Sequence, residues 1–347
     1  MGERVTIRDV AERAGVSVAT VSRVLAGNYP TSATSRAKVL RAVKDLDYVA
    51  NAHARGLAGA GRKTIAVLLY DVLSPFFAYV AQGVEMEAAQ HGRLTLVAST
   101  GSDPARELAL VQMMREQAAE AVVLVGGVIE DDEYRERMAR YAQALAAAGS
   151  RLVLCGRPAP APDVPALVVE YDNEAGAHAV TSHLLGAGHR RIALIGYQPG
   201  NTTGEARVRG YLRALQDHGV PRSDALVHGV GFGPHHGYEA IRDLLRACDG
   251  KPEFTAVFAG DDRVAAASIV ALREYGLRVP TDVSVVGYND DPVASDVTPA
   301  LTTVRIPAEE MGREAVRRAL AGPRGGPERY VLGTHIVIRD SVHRLRP

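Results

Sequence analysis

Short apolar runs alternate with helical stretches from residue 64 onward, and this alternation restricts the fold more than any other feature. Residues 64–70, 94–98 and 121–125 are rich in strand formers, and helix-length stretches at about 76–91 and 105–117 separate them. Strands connected through helices pair in parallel, and such a sheet is covered on both faces. Four prolines within 157–165 break the pattern and mark a crossover. Apolar runs resume at 167–171, 191–195, 225–228, 256–259, 283–287 and 336–340. At 347 residues the chain has room for two to three domains, and this α/β body, 64–347, is the larger part.

The segment before the body differs in charge. The whole chain carries 40 Lys+Arg against 40 Asp+Glu, yet 11 basic and 5 acidic residues fall within 1–63, leaving 29 and 35 for the remainder. A small basic head on an acidic body fits a polyanionic partner for the head. Its pattern is helical. Thr6 caps a first helix with Asp9 at the reciprocal position, and Val5 and Val10 form a hydrophobic staple. Gly15 ends that helix, Ser17 caps a second, and Val16 and Val21 form a second staple. One helix and a tight turn between two caps is helix-turn-helix spacing, with the second helix in a DNA major groove. Ser32 caps a third helix expected to bury Val39, Leu40, Val43 and Leu46.

These residues resemble a known family. The run from Thr6 to Leu25 (TIRDVAERAGVSVATVSRVL) is similar to the DNA-binding signature of the lactose/galactose repressor (LacI/GalR) family, and Tyr48 to Leu57 is similar to the family's hinge. The likeness recurs at 74–77, 172–176, 188–192, 279–288 and 298–303. It implies an all-α helix-turn-helix head, 1–50, a hinge helix and linker, 51–63, and a periplasmic-binding-protein-like α/β body of two doubly wound parallel-sheet subdomains. The expected N-subdomain spans about 64–160 and 295–322, the C-subdomain about 164–291 and 327–347.

On DNA, Val18, Ala19 and Arg23 would meet base edges, Arg23 donating to guanine O6 and N7. Arg8, Ser17, Thr20 and Ser22 would hold phosphates, and Thr6 belongs to the same DNA-binding set. Asn51 can cap a short hinge helix, 52–58, too short to persist alone in water. The resemblance implies that it forms when two copies pair on DNA, with Leu57 wedged into the minor groove, His53 and Arg55 near phosphates, and Ala54 and Ala58 beside them. Two departures from the family pattern stand out: Ala26 replaces a frequent Asn, and Ala50 a frequent Pro.

Ligands of such bodies sit at strand carboxyl ends between subdomains. Phe76 and Phe77 follow the first strand and supply an apolar wall. By resemblance, Arg207 is the effector-binding arginine and Phe232 stacks on the ligand ring. Asp261 and Asn289 end strands as hydroxyl partners, Asn289 standing where Asp is frequent, and Asp71 and Thr203 complete the set. The set points to a small polar effector, with a sugar favoured over a nucleobase.

The expected function is a sequence-specific, DNA-binding transcriptional regulator, a repressor acting as a homodimer on operator DNA, controlled by that effector. No leucine heptad follows the last strand, so a helix-bundle tetramer is not expected. The alternatives are a corepressor-dependent regulator answering a nucleobase or sugar phosphate, a periplasmic-type sugar-binding protein, and an α/β enzyme. The last lacks a defensible catalytic set, and the protein is expected not to be an enzyme. No cofactor and no metal are expected. Adjacent His235 and His236 lack helical i, i+4 spacing, and Gly229, Gly231 and Gly233 neither follow the G-x-G-x-x-G spacing nor open an evident helix. Asp131, Asp132 and Glu133 read as a solvated helix start, and Cys155 and Cys248 as buried apolar residues. No apolar run reaches membrane-spanning length and the first residues lack a secretion core, so the expected location is the cytoplasm.

Overall fold

A computed structural model describes residues 5–26, 30–48, 64–161, 164–222, 226–229, 231–322 and 328–345. The chain divides into two compact units, Met1–Lys63 and Thr64–Pro347. Asn51, His53, Ala54, Arg55, Leu57 and Ala58, with Ala50, lie outside the described residues.

The first unit holds α1 (Ile7–Ala14), α2 (Val18–Ala26) and α3 (Ala33–Asp45). The anticipated caps are in place. The Asp9 carboxylate accepts from Thr6 N at 2.6 Å and Thr6 Oγ1 at 2.8 Å, Ser17 Oγ accepts from Thr20 N at 3.2 Å, and Ser32 Oγ accepts from Ser35 N at 3.2 Å. Gly15, at φ 61°, supplies the left-handed turn between α1 and α2. Val10, Ala14, Val21, Val24, Val39 and Ala42 form the core of this unit. Leu40 is not part of it: it is 49% exposed. The buried stripe of α3 runs through 39, 42, 43 and 46, and residue 40 sits about 100° around the helix from 39.

In the second unit, β1 (Thr64–Leu69), β2 (Leu94–Ser99), β3 (Ala121–Val125), β4 (Arg151–Cys155), β5 (Ala166–Tyr171) and β11 (Glu328–Leu332) form one parallel sheet, in the order β11-β5-β4-β3-β1-β2. Strand β3 is buried throughout, as a strand covered on both faces must be. Helices α4 (Pro75–Gln90), α5 (Pro104–Glu116), α6 (Asp132–Ala147) and α12 (Ala308–Leu320) belong to this half. A second parallel sheet, β7-β6-β8-β9, contains β6 (Ile192–Ile195), β7 (Leu226–His228), β8 (Ala256–Ala259) and β9 (Ser284–Val286). It is accompanied by α7 (Asn173–Gly186), α8 (Thr202–Asp217), α9 (Pro234–Ala247), α10 (Asp262–Glu274) and the short α11 (Val293–Asp296). Strands β10 (Thr303–Arg305) and β12 (His335–Val337) form an antiparallel pair.

Three expectations need correction. The C-subdomain was expected to hold 164–291 and 327–347, but β5 pairs with β4, and β11 with β5, inside the first sheet. The proline-rich run therefore connects two neighbouring strands of one sheet, and the chain crosses only after Tyr171. Helix α9 begins directly after Gly233, so the glycine stretch does lead into a helix, although its spacing is unchanged. Cys155 is buried, whereas Cys248 is only partly so. Asp131 does start α6, its Oδ1 accepting from Tyr134 N at 2.7 Å. Among the described residues no helix is long and apolar enough to cross a membrane.

Candidate functional site

The face of α2 opposite Val21 and Val24 is open to solvent. Val18 is 41% exposed, and Ala19 and Arg23 are exposed. Arg23 has no hydrogen bond or ion pair among the described residues, which leaves its guanidinium free for a partner. Arg8 is exposed on α1, and Ser22 is half-buried. Ser17 and Thr20 hydroxyls lie 2.9 Å apart, and Thr6 Oγ1 is engaged by Asp9. These three hydroxyls therefore hold the helix starts as well as facing outward.

In the second unit, all eight residues singled out from the sequence as ligand contacts line one cavity of about 840 Å³: Asp71, Phe76, Phe77, Thr203, Arg207, Phe232, Asp261 and Asn289. They come from the ends of β1, β8 and β9, the starts of α4 and α8, and the turn before α9. The volume falls within the range of small-molecule sites.

One wall is aromatic. The Phe76 and Phe77 rings meet edge to face at 5.2 Å between centroids, and Phe76 also meets Tyr171 at 6.0 Å. Asp71 shapes this wall, its Oδ1 accepting from Leu73 N at 2.7 Å and Ser74 N at 2.8 Å just before α4. Gly126 is required beside Phe77, because a Cβ there would lie 2.8 Å from the ring and its φ is 102°.

Arg207 is the polar centre. It is 3% exposed. Nε donates to Asn173 Oδ1 at 3.0 Å, Nη1 to the Gly260 carbonyl, and Nη2 to Tyr171 Oη at 3.2 Å and Asn289 Oδ1 at 3.3 Å. Its guanidinium carbon lies 3.8 Å from the Tyr288 ring centroid, a cation–π arrangement. So many contacts fix the group in one orientation before any ligand arrives.

Carboxylates underlie the same wall. Asp261 caps α10, its Oδ1 accepting from Val264 N at 2.7 Å. Asp262 is fully buried. Its oxygens accept from Thr303 Oγ1 at 2.6 Å and Asp291 N at 2.7 Å, while burial pushes its carboxyl well above the ordinary range. Asp291, 3% exposed, is pushed up to about 6, first by burial and then by the nearby Asp261 charge, and its Oδ2 has no hydrogen-bond partner.

Tyr171, Asn173, Tyr288, Arg263 and Asp291 were not anticipated. Tyr171 ends a strand that the apolar pattern does reveal, so the strand-end rule could have found it. A second groove of about 590 Å³ shares Tyr171 and Thr203 with the cavity. Its Arg209 and Arg329 already pair with Glu174 and Glu170. His235 and His236 are both exposed.

Comparison with known proteins accords with this geometry. Residues 6–51 match the bacterial regulatory proteins of the lacI family, and residues 181–342 match a periplasmic binding protein-like domain. The HTH-type transcriptional regulator DegA of Bacillus subtilis (strain 168) is 32% identical, over 99% of both chains. CelR of Thermobifida fusca is 35% identical, over 97% of this chain and 98% of its own length. Among solved structures, a CelR–cellobiose complex is similar at 34% identity with a TM-score of 0.71, over 97% of this chain and 100% of that one. A lac repressor dimer bound to operator and the anti-inducer ONPF is similar at 26% identity with a TM-score of 0.83, over 98% of this chain and 100% of that one.

Proposed function

The chain belongs to the lacI family of bacterial regulatory proteins, and on that premise we propose that it is a cytoplasmic, non-enzymatic repressor whose grip on operator DNA is set by a sugar in the 840 Å³ cavity. As a member of the family it is a DNA-binding transcriptional regulator that works as a dimer, so its operator is two near-symmetric half-sites. The observation that carries the effector reading is the convergence of Arg207, Asp261 and Asn289 with an aromatic wall in one cavity. Hydroxyl donors and acceptors beside flat apolar faces are what a pyranose needs. The cellobiose bound to CelR supports the same ligand class here.

Val18, Ala19 and Arg23 read bases, while Thr6, Arg8, Ser17, Thr20 and Ser22 hold phosphates. Asn51, His53, Ala54, Arg55, Leu57 and Ala58 form the hinge contact. Effector and operator are coupled reciprocally, with a coupling of about 1–3 kcal/mol.

The test is a gel shift with DNA from upstream of the coding region, using full-length protein and a fragment lacking residues 1–60, with and without a panel of sugars. The full chain should bind specifically, by at least about 1,000-fold over unrelated DNA, and a sugar should shift that affinity. Equal binding by the fragment would reject the head as reader. The hinge is tested separately: Leu57→Ala should weaken binding and reduce operator bending in a circular-permutation assay, and unchanged bending would remove the wedge.

A further inference from the structure

The two arginines of the cavity differ in what they already hold. Arg207 is committed to Asn173, Gly260, Tyr171 and Asn289. Arg263, in the first turn of α10, lines the same cavity but makes no hydrogen bond and no ion pair among the described residues. Its Nε is buried without a partner. A buried N–H left unpaired carries a free-energy cost that an arriving acceptor removes.

The surroundings of Arg263 favour a negative acceptor. Gly237, in the first turn of α9, packs directly on α10, where a Cβ would lie 2.6 Å from the Val264 carbonyl oxygen. The starts of the two helices are thus in backbone contact, and His236 shares the cavity wall with Arg263. Asp261 caps α10. Helix α9, 14 residues long, has Gly233 at its N-cap and no side-chain acceptor for its first turn. The uncapped start of α9 and the guanidinium of Arg263 together present positive charge at this corner, and His236, whose Nδ1 lies 2.7 Å from the Phe232 carbonyl, leaves Nε2 as a further hydrogen-bonding atom. Three carboxylates lie against the same region, Asp261, Asp262 and Asp291, and Asp262 is spent on Thr303 Oγ1 and Asp291 N. Asp261 has one oxygen committed to its cap, and Asp291 lies behind it, buried. Arg263 attracts the Asp291 carboxylate electrostatically but makes no salt bridge with it or with Asp261 among the described residues.

We propose that this corner is an anion subsite, and that the effector is a polyhydroxylated ring bearing a carboxylate or phosphate group. The ring lies against Phe76 and Phe77, its hydroxyls meet Arg207, Asp261 and Asn289, and the anion meets Arg263 and the open start of α9. Arg263 is then a specificity-determining residue. This rests on reading the cavity as the effector site, but it adds a charge requirement that a neutral sugar does not meet.

The test uses full-length protein and isothermal titration at constant ionic strength. The probes are matched sets of one ring (glucose, glucuronate, glucose 6-phosphate; galactose, galacturonate, galactose 6-phosphate) and inorganic phosphate. The variants are Arg263→Gln, Arg263→Lys and, as a control at an exposed position of α5, Arg106→Gln. The anionic member of a set should bind at least tenfold more tightly than the neutral one. Arg263→Gln should remove about 10- to 100-fold of that affinity, leave the neutral sugar within threefold, and be partly rescued by Arg263→Lys. Arg106→Gln should change none of these. Preference for uronate over phosphate, or the reverse, identifies the anion. Tighter binding of the neutral member, or an anion preference unchanged in Arg263→Gln, overturns the subsite while leaving a sugar-controlled regulator intact. Absence of any Arg263-dependent binding, inorganic phosphate included, also overturns it. Binding that never alters operator affinity counts instead against the effector reading.

Discussion

Arg23 and Arg207 put the same side chain to opposite uses. Arg23 stands exposed on α2 with no partner among the described residues. Arg207 is buried, with four hydrogen-bond acceptors and a ring beneath it. The DNA-facing surface waits for its partner to supply every contact, so substitutions there should cost binding and little stability. The cavity is built in advance, so its substitutions should cost both. This difference can be broken or sharpened by experiment.

The largest effect is expected from Arg207→Ala. It orphans Asn173, Tyr171 and the Gly260 carbonyl in a buried setting, which should cost about 3–5 kcal/mol of stability and abolish the effector response, while the folded fraction still binds DNA. Chemical denaturation and gel shifts in the presence of effector measure the two halves. An unchanged denaturation midpoint would erase the contrast with Arg23.

Asp291→Asn should act next, and with the opposite sign. The folded carboxyl sits at about 6 against an ordinary 3.8. Between those values the folded protein keeps a proton that the unfolded chain has lost, so this group's contribution to stability falls as pH rises toward about 6 and is level above it. At pH 7.5 the Asn variant should be more stable by up to about 3 kcal/mol, with the advantage vanishing near pH 3.8. Equal stability of both proteins across that window would show that the buried acid is compensated elsewhere.

Arg23→Ala is the smallest of the three. It should lower operator affinity by about 1–3 kcal/mol and relax preference at one base pair per half-site, with thermal stability unchanged. Uniform weakening across all sequences would make it a phosphate contact instead.

The same contrast explains which parts of the molecule are legible in the sequence. The head is local: a cap, a glycine and a staple fall within a few residues of one another, so α1, α2 and α3 follow from Thr6, Gly15, Ser17 and Ser32. Leu40 failed because one position on a short amphipathic helix separates core from solvent. The ligand residues span 71 to 289, and no periodicity joins them; resemblance to a family supplied them, and the folded chain gathers them. Arg263 escaped because an arginine in the first turn of an amphipathic helix reads as surface. Strands β5 and β11 were placed in the wrong half because pairing partners, unlike strand character, are not encoded in the apolar runs themselves.

The position of those two strands has a mechanical consequence. They leave the six-stranded sheet side by side, in register from Leu167 against Glu328 to Tyr171 against Leu332. The pairing continues one residue further, Asp172 N donating to the Leu332 carbonyl at 3.2 Å. A two-stranded ribbon is stiff within its own plane and yields across it. The chain passes between the halves a third time after β9, where Asn289 bridges Arg305, so any swing of one half of the body against the other must bend the ribbon and this segment together.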